Sequence, residues 1–383
     1  MPLAPSSAGP SDPVSTVTGR TGSAAASAPP VARRWRLALL APAGVALLVG
    51  MASGLGRLGL PVGFGPLTDH GPLLVLGFLG TLIALERAVA VGERWAYAPV
   101  VIAAAGAVAL VLGVPGRLVA PVFVVAGLGV LAVYGATLRR QPSLHLGVMA
   151  VGGLAWPVAA AHWLLGAGPA ELVAPLAAFL VLTIVGERLE LSRLSQPPRR
   201  VRLLLLAAVA LFLVGVVASL WSVPVGWAIA GAGLVAQAVW LARYDLARRT
   251  VRTTGLPRYA AVCLLTGFAW LGLGGVLWGW HALAPLAFTY DAAVHAVFLG
   301  FVVSMVFGHA PIILPAVLRI RLAYRPVLYA PLALLHTTLG LRVVADLAGW
   351  VSLREVAGSA NVVAVLAFAA AALSSVRLPR GEG

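Results

Sequence analysis

From about residue 36 to residue 375 the chain is a succession of apolar runs, each near the length of a bilayer crossing and parted by short loops. They lie near 36–56, 70–90, 97–114, 118–137, 144–165, 171–190, 202–220, 223–242, 258–280, 291–316, 326–348 and 355–375. A hydrocarbon core of ~30 Å takes ~20 residues of helix. A backbone in lipid finds no water to bond, so each run must satisfy its own amides as a helix. Membrane strands would show ~10-residue segments of alternating polarity, and these runs are unbroken. The sequence predicts an all-α, polytopic transmembrane bundle of about twelve helices. Composition agrees: 61% of residues are hydrophobic and 10% charged, against roughly 25% charge in a soluble domain.

Arginine sets the expected orientation. Every one of the 27 basic residues is arginine. Clusters fall in alternate loops: Arg33, Arg34 and Arg36; Arg87 and Arg94; Arg139 and Arg140; Arg193, Arg199, Arg200 and Arg202; Arg243, Arg248, Arg249, Arg252 and Arg258; Arg319, Arg321 and Arg325; Arg377 and Arg380. The intervening loops hold little beyond Arg57, Arg117 and Arg354. Basic residues are retained on the cytoplasmic side, so both termini are expected there, in a multi-pass protein of the inner (cytoplasmic) membrane. Residues 1–32, rich in Pro, Ser, Ala, Thr and Gly, read as a disordered cytoplasmic tail. The apolar run after Arg36 is too long for a cleavable signal peptide. Residues 33–376 read as the membrane domain and 377–383 as a second cytoplasmic tail. The formal charge of +15 lies in short loops and forms no basic face on a folded domain, so no nucleic-acid partner is expected. Cys263 is the single cysteine, which excludes a disulfide framework and a Cys-based zinc site within the chain.

Chemistry then falls to histidine. His145, His162 and His281 lie near span ends and read as interfacial. His70 opens helix 2 after Asp69, and His295 lies one turn into helix 10, four residues after Asp291. A carboxylate beside each can orient the imidazole. His309 is ten residues before Arg319 and His336 eleven after Arg325. Both are then roughly 15 Å from the arginine-rich boundary, on consecutive antiparallel helices. His295 and His309, fourteen residues apart, are expected on one face of a regular helix, roughly 21 Å apart. Pro311 and Pro315 are expected to break or kink helix 10 and to free carbonyls that can line a cavity. Arg342 and Asp346, at i and i+4, can pair on one face; alternatively Arg342 binds an anionic group such as a haem propionate. Glu86-Arg87 and Glu187-Arg188 echo one another at the ends of helices 2 and 6 and read as interfacial ion pairs that snorkel. Neutral imidazole suits haem iron and copper alike.

The stretches His295-Ala-Val-Phe-Leu-Gly and Gly308-His309, with His336 and Leu341-Arg342-Val343 a helix later, resemble the C-terminal part of the NnrS family. His70-Gly71-Pro72 through Leu76-Gly77-Phe78 resembles its histidine-bearing helix 2. The layout of about twelve helices extends the resemblance over residues 36–376. The resemblance implies a membrane protein that binds haem and/or copper, linked to nitric oxide and nitrosative stress. It is distantly similar to the catalytic subunit of haem–copper oxidases. It makes His70, His295, His309 and His336 the metal-ligand candidates and Arg342 a cofactor-binding residue. Departures are that Asp69-His70 offers one histidine where the family often has two, that Gly308-His309-Ala310-Pro311 lacks the family's following arginine, and that adjacent histidines are absent, which argues against oxygen reduction. Two other classes stand beside this reading: a secondary transporter in which His309 or Glu86 relays protons, and a scaffold without cofactor. The topology is testable: reporter fusions at Gly255 and Gly168 report opposite sides, Gly255 on the cytoplasmic one. Matching sides contradict the map.

Overall fold

The computed structural model describes residues 33–62, 69–192, 197–286, 288–318 and 320–377. The tail expected at 1–32 lies outside the described residues, as do 378–383 of the second tail. Among the described residues twelve helices are long and apolar enough to cross a membrane: α1 Arg34–Arg57, α2 His70–Val91, α3 Arg94–Val111, α4 Gly116–Arg140, α5 Leu144–Leu164, α6 Pro169–Leu191, α7 Arg199–Ser219, α8 Val223–Tyr244, α9 Gly255–Leu283, α10 Thr289–Leu318, α11 Pro326–Ala348 and α12 Val351–Ser374. The chain is a multi-pass membrane protein. Beyond helix, β1 Arg321–Leu322 and β2 Val376–Arg377 form a two-residue antiparallel ladder that ties the α10–α11 loop to the end of α12.

Consecutive helices pack as neighbours, most extensively α4 to α5, α5 to α6, α7 to α8, α8 to α9, α9 to α10 and α11 to α12. Of the twelve, α6 is the most enclosed, with 83% of its apolar window buried against 28% for α1 and 33% for α12. In lipid no hydrophobic force separates one helix face from another, so close packing of small residues decides contact. The α7–α8–α9 seam is built this way. A Cβ on Gly215 would come within 2.2 Å of the Ala230 backbone nitrogen, and one on Gly231 within 2.5 Å of the Gly275 carbonyl oxygen. Backbones touch there, and nothing larger than hydrogen fits.

Among the described residues two helices contain π-helical segments, and they are those that carry His70 and His295. Residues Leu73–Gly80 of α2 and Ala296–Val303 of α10 are π-helical, with wider turns. The segments start and stop at one interval, residue 73 to 296 and residue 80 to 303, each 223 apart. Each contains Leu-Gly-Phe at the same place and is followed by a hydroxyl, Thr81 or Ser304, which donates to the carbonyl of Gly77 or Gly300 one turn back. A large ring closes over a glycine of each: Trp156 over Gly80, Trp270 over Gly300. π segments recur at functional sites.

Two expectations are corrected, the break at the prolines and the shared face of the two histidines. Pro311 and Pro315 do not end α10, which runs through both to Leu318. Packed neighbours let a membrane helix tolerate proline, and the irregularity lies upstream at 296–303. The common face expected for His295 and His309 also fails. The extra residues per turn between them rotate the lower half of α10, so His295 lines the main cavity while His309 does not. For the seam, Gly231→Ala and Gly275→Ala each force two backbones apart and should lower stability by about 1–3 kcal/mol, read as an earlier loss of helicity on heating in detergent. Unchanged unfolding temperatures would refute the close approach.

Candidate functional site

A cavity of about 850 Å³ is lined by α1, α2, α6, α10, α11 and α12. Its walls are mostly apolar, and its polar lining comprises Arg57, Asp69, His70, Arg117, Asp291, His295, Arg342, Arg354 and Asn361. Such a hollow with a few convergent polar groups is the usual form of a ligand site.

Both histidines are oriented by backbone. His70 Nδ1 lies 2.8 Å from the Gly50 carbonyl of α1, and its ring lies over Gly54, where a Cβ would sit 2.8 Å from Cε1. His295 Nδ1 lies 2.8 Å from the Asp291 carbonyl one turn back in α10, with the Asp291 carboxylate at 3.5 Å. A carbonyl only accepts, so each Nδ1 carries the proton and Nε2 keeps its lone pair. This is how metal-binding histidines are held. Carboxylates were expected to orient both rings. For His70 the Gly50 carbonyl does so, and for His295 the carboxylate stands behind the carbonyl.

The polar end of the cavity is an ionic lattice across three helices. Arg342 donates from Nε and Nη2 to Asp291 Oδ2 at 3.0 and 2.8 Å. Arg354 Nε donates to Asp346 Oδ1 at 2.8 Å, and its Nη2 lies 3.5 Å from Asp291 Oδ1. Arg354 also stacks 4.6 Å over the Phe288 ring. Two guanidiniums and two carboxylates thus balance. The expected Arg342–Asp346 pair is replaced by a crossed arrangement, because Asp291 on α10 reaches Arg342 directly while Arg354, at the start of α12, takes Asp346. Sequence reading passed over Arg354. Its signal was its rarity, as one of the few arginines in the arginine-poor loops.

The other two histidines lie elsewhere. His336 Nδ1 accepts a hydrogen bond from Trp270 Nε1 at 2.9 Å, and the two rings stack. Accepting at Nδ1 places the proton on Nε2, which is buried and unpartnered. This tautomer offers no free lone pair to a metal. His309 Nδ1 lies 2.8 Å from the Met305 carbonyl, and the ring feels the charges of Glu86, Arg188 and Asp245. Among the described residues no hydrogen bond, ion pair or ring contact joins His309 to His336. At that same end of the bundle Arg87 bridges Glu86 and Glu187, and Arg188 lies 3.5 Å from Asp245. The echoed Glu-Arg pairs are therefore one bridged cluster between helices instead of two snorkelling pairs. Asp245 stands outside the spans, where burial raises its carboxyl and the Arg188 guanidinium opposes the rise. His145, expected at the interface, is buried, with Nε2 3.6 Å from Glu190. His281 Nδ1 meets the Thr289 hydroxyl at 2.8 Å.

The lattice makes a prediction. Asp291→Ala strands the Arg342 guanidinium, and removing one partner of a buried pair costs about 3 kcal/mol or more. The double variant Asp291→Ala with Arg342→Leu should be the more stable of the two in thermal unfolding. Equal or additive losses would show that the pair is not coupled.

No curated protein and no solved structure matches the chain. The model of one family, described as a domain of unknown function (DUF8744), matches residues 36–377 and so takes in almost the whole of the membrane bundle; the chain belongs to that family.

Proposed function

We propose that this is a haem-binding protein of the inner membrane, similar in role to the NnrS family and linked to nitric oxide or nitrosative stress. Its haem would be held by His70 and His295, with Arg342 and Arg354 toward the propionates. One observation carries the reading: two imidazoles from different helices line one cavity, each with Nδ1 spent on a backbone carbonyl and Nε2 left to ligate. Among the described residues no group of three or more His, Cys, Asp or Glu is placed to hold a bare metal ion. Two imidazoles are enough for haem, whose porphyrin supplies the other four ligands, so haem fits better than copper alone. The mostly apolar walls suit a macrocycle. The two guanidiniums suit its carboxylates, since Arg binds carboxylate bidentately.

When bound, such a haem would supply a one-electron redox centre. The chain's own part is positional. Gly50 and Asp291 set the imidazole tautomers, Gly54 leaves room for the His70 ring, and Asp291 links His295 to Arg342. A secondary transporter remains the competing class, favoured by the charged cluster near His309.

Purification from haem-replete cells separates the two. The proposal expects a Soret band, lost in His70→Ala and in His295→Ala, and kept in His336→Ala. A colourless protein, or a band that survives both of the first two substitutions in folded protein, contradicts it.

A further inference from the structure

Asn361 of α12 belongs to the cavity wall and is 3% exposed. Its Nδ2 donates to the Thr338 hydroxyl of α11 at 2.6 Å, and that hydroxyl donates in turn to the Leu334 carbonyl at 2.7 Å. The order fixes the amide. A hydroxyl whose proton is spent on a carbonyl can only accept from its other neighbour, so Nδ2 faces Thr338 and Oδ1 points elsewhere. Among the described residues Oδ1 meets no donor. A buried polar atom left bare costs about 1–3 kcal/mol. An atom that lines a hollow can recover this from what fills the hollow.

The cavity also opens sideways. α1 and α12 both contribute to its wall, and they are the two least buried of the twelve spans. The chain just past α1 meets α12 near the polar end, where a Cβ on Gly358 would come within 2.4 Å of Leu58 Cδ1. Farther along, Gly44 of α1 and Leu373 of α12 line the cavity and are nevertheless exposed, Leu373 to 72%. A Cβ on Gly44 would meet no atom within 4 Å. A wall residue that is exposed marks an opening, and this one lies between two lipid-facing helices. From Asn361 to Leu373 α12 rises about 18 Å. The residues it gives the wall there, Val362, Val365, Phe368, Ala369 and Ala372, are all apolar. The result is a slot for a long apolar chain, with a bare hydrogen-bond acceptor at its head.

We propose that the cavity takes up a neutral amphiphile from the bilayer, a hydroxyl head on one long apolar chain, which enters between α1 and α12. The hydroxyl donates to Asn361 Oδ1, and the chain lies along α12 toward Leu373. The acceptor selects the head. An amide oxygen cannot donate, so a phosphate or carboxylate head gains nothing there. An ammonium head would donate, but it would bring an unpaired charge into the span. Membrane hydroquinones and aliphatic alcohols share the chemistry that remains. The proposal goes beyond the haem reading and does not rest on it, since it uses neither His70 nor His295.

The test is photolabelling of the full-length protein in lipid nanodiscs with hexadecanol that carries a diazirine in its chain, the adducts being mapped by peptide mass spectrometry. Saturable labelling of the cavity wall at Val365 and Ala369 is expected. Gly44→Trp fills the opening and should remove most of it, and the free space at Gly44 lets that variant fold. Asn361→Leu should weaken the labelling about tenfold, the worth of one hydrogen bond. It strands no donor, because the Thr338 hydroxyl keeps its carbonyl. Unlabelled hexadecanol should compete, while its methyl ether, with no proton to give, should need about ten times the concentration. Competition by decyl hydroquinone below the concentration of hexadecanol assigns the head to a hydroquinone, and the reverse order assigns it to an aliphatic alcohol. An ether that competes as well as the alcohol overturns the proposal. So does labelling unchanged in both variants, or labelling of α12 that never saturates. A Soret band lost while labelling persists would count against the haem reading alone.

Discussion

A backbone in lipid must find every hydrogen bond within the protein, and most of this structure follows from that demand. It makes each apolar run a helix. It draws the Thr81 and Ser304 hydroxyls back onto the carbonyls of Gly77 and Gly300 beside the π segments. It also governs the histidines. His70, His295 and His309 each face a main-chain carbonyl through Nδ1, because carbonyls are the acceptors a helix surface offers at that depth. The polar side of each ring is thereby fixed without water, and Nε2 is directed away from the helix that holds it.

The ionic groups divide between two ends of the bundle. Beside the cavity, Arg342 and Arg354 are paired with Asp291 and Asp346. At the other end Arg87 bridges Glu86 and Glu187, and Arg188 lies near Asp245. A paired lattice can stay closed as a rigid wall, and an anionic ligand entering it must draw a guanidinium from its partner. This division separates the surroundings of His295 from those of His309, although they share α10.

The spans were legible in the sequence because length and continuous hydrophobicity decide them; observed boundaries such as 144–164 and 326–348 lie close to the apolar runs. His70 and His295 were legible as a pair from depth alone, both lying at one boundary. The pairing of His309 with His336 rested on the same depth argument, but depth says nothing of rotation about the helix axis. A π segment changes that rotation, and nothing in the sequence but the repeated Leu-Gly-Phe of 76–78 and 299–301 hints at it. Trp270 then claims His336 from a helix that sequence spacing cannot relate to α11. The crossed ion pairs were hidden for a similar reason: Arg342 and Asp346 are neighbours along α11, yet each finds its strong partner on another helix.

The central claim is that His70 and His295 hold one iron between them. Electron paramagnetic resonance of the oxidised, purified protein tests it most directly. The account predicts a low-spin ferric signal of the bis-imidazole type, replaced by a high-spin signal when either histidine is substituted. A wild-type spectrum that is high-spin throughout, or that shows only copper hyperfine lines, would contradict it.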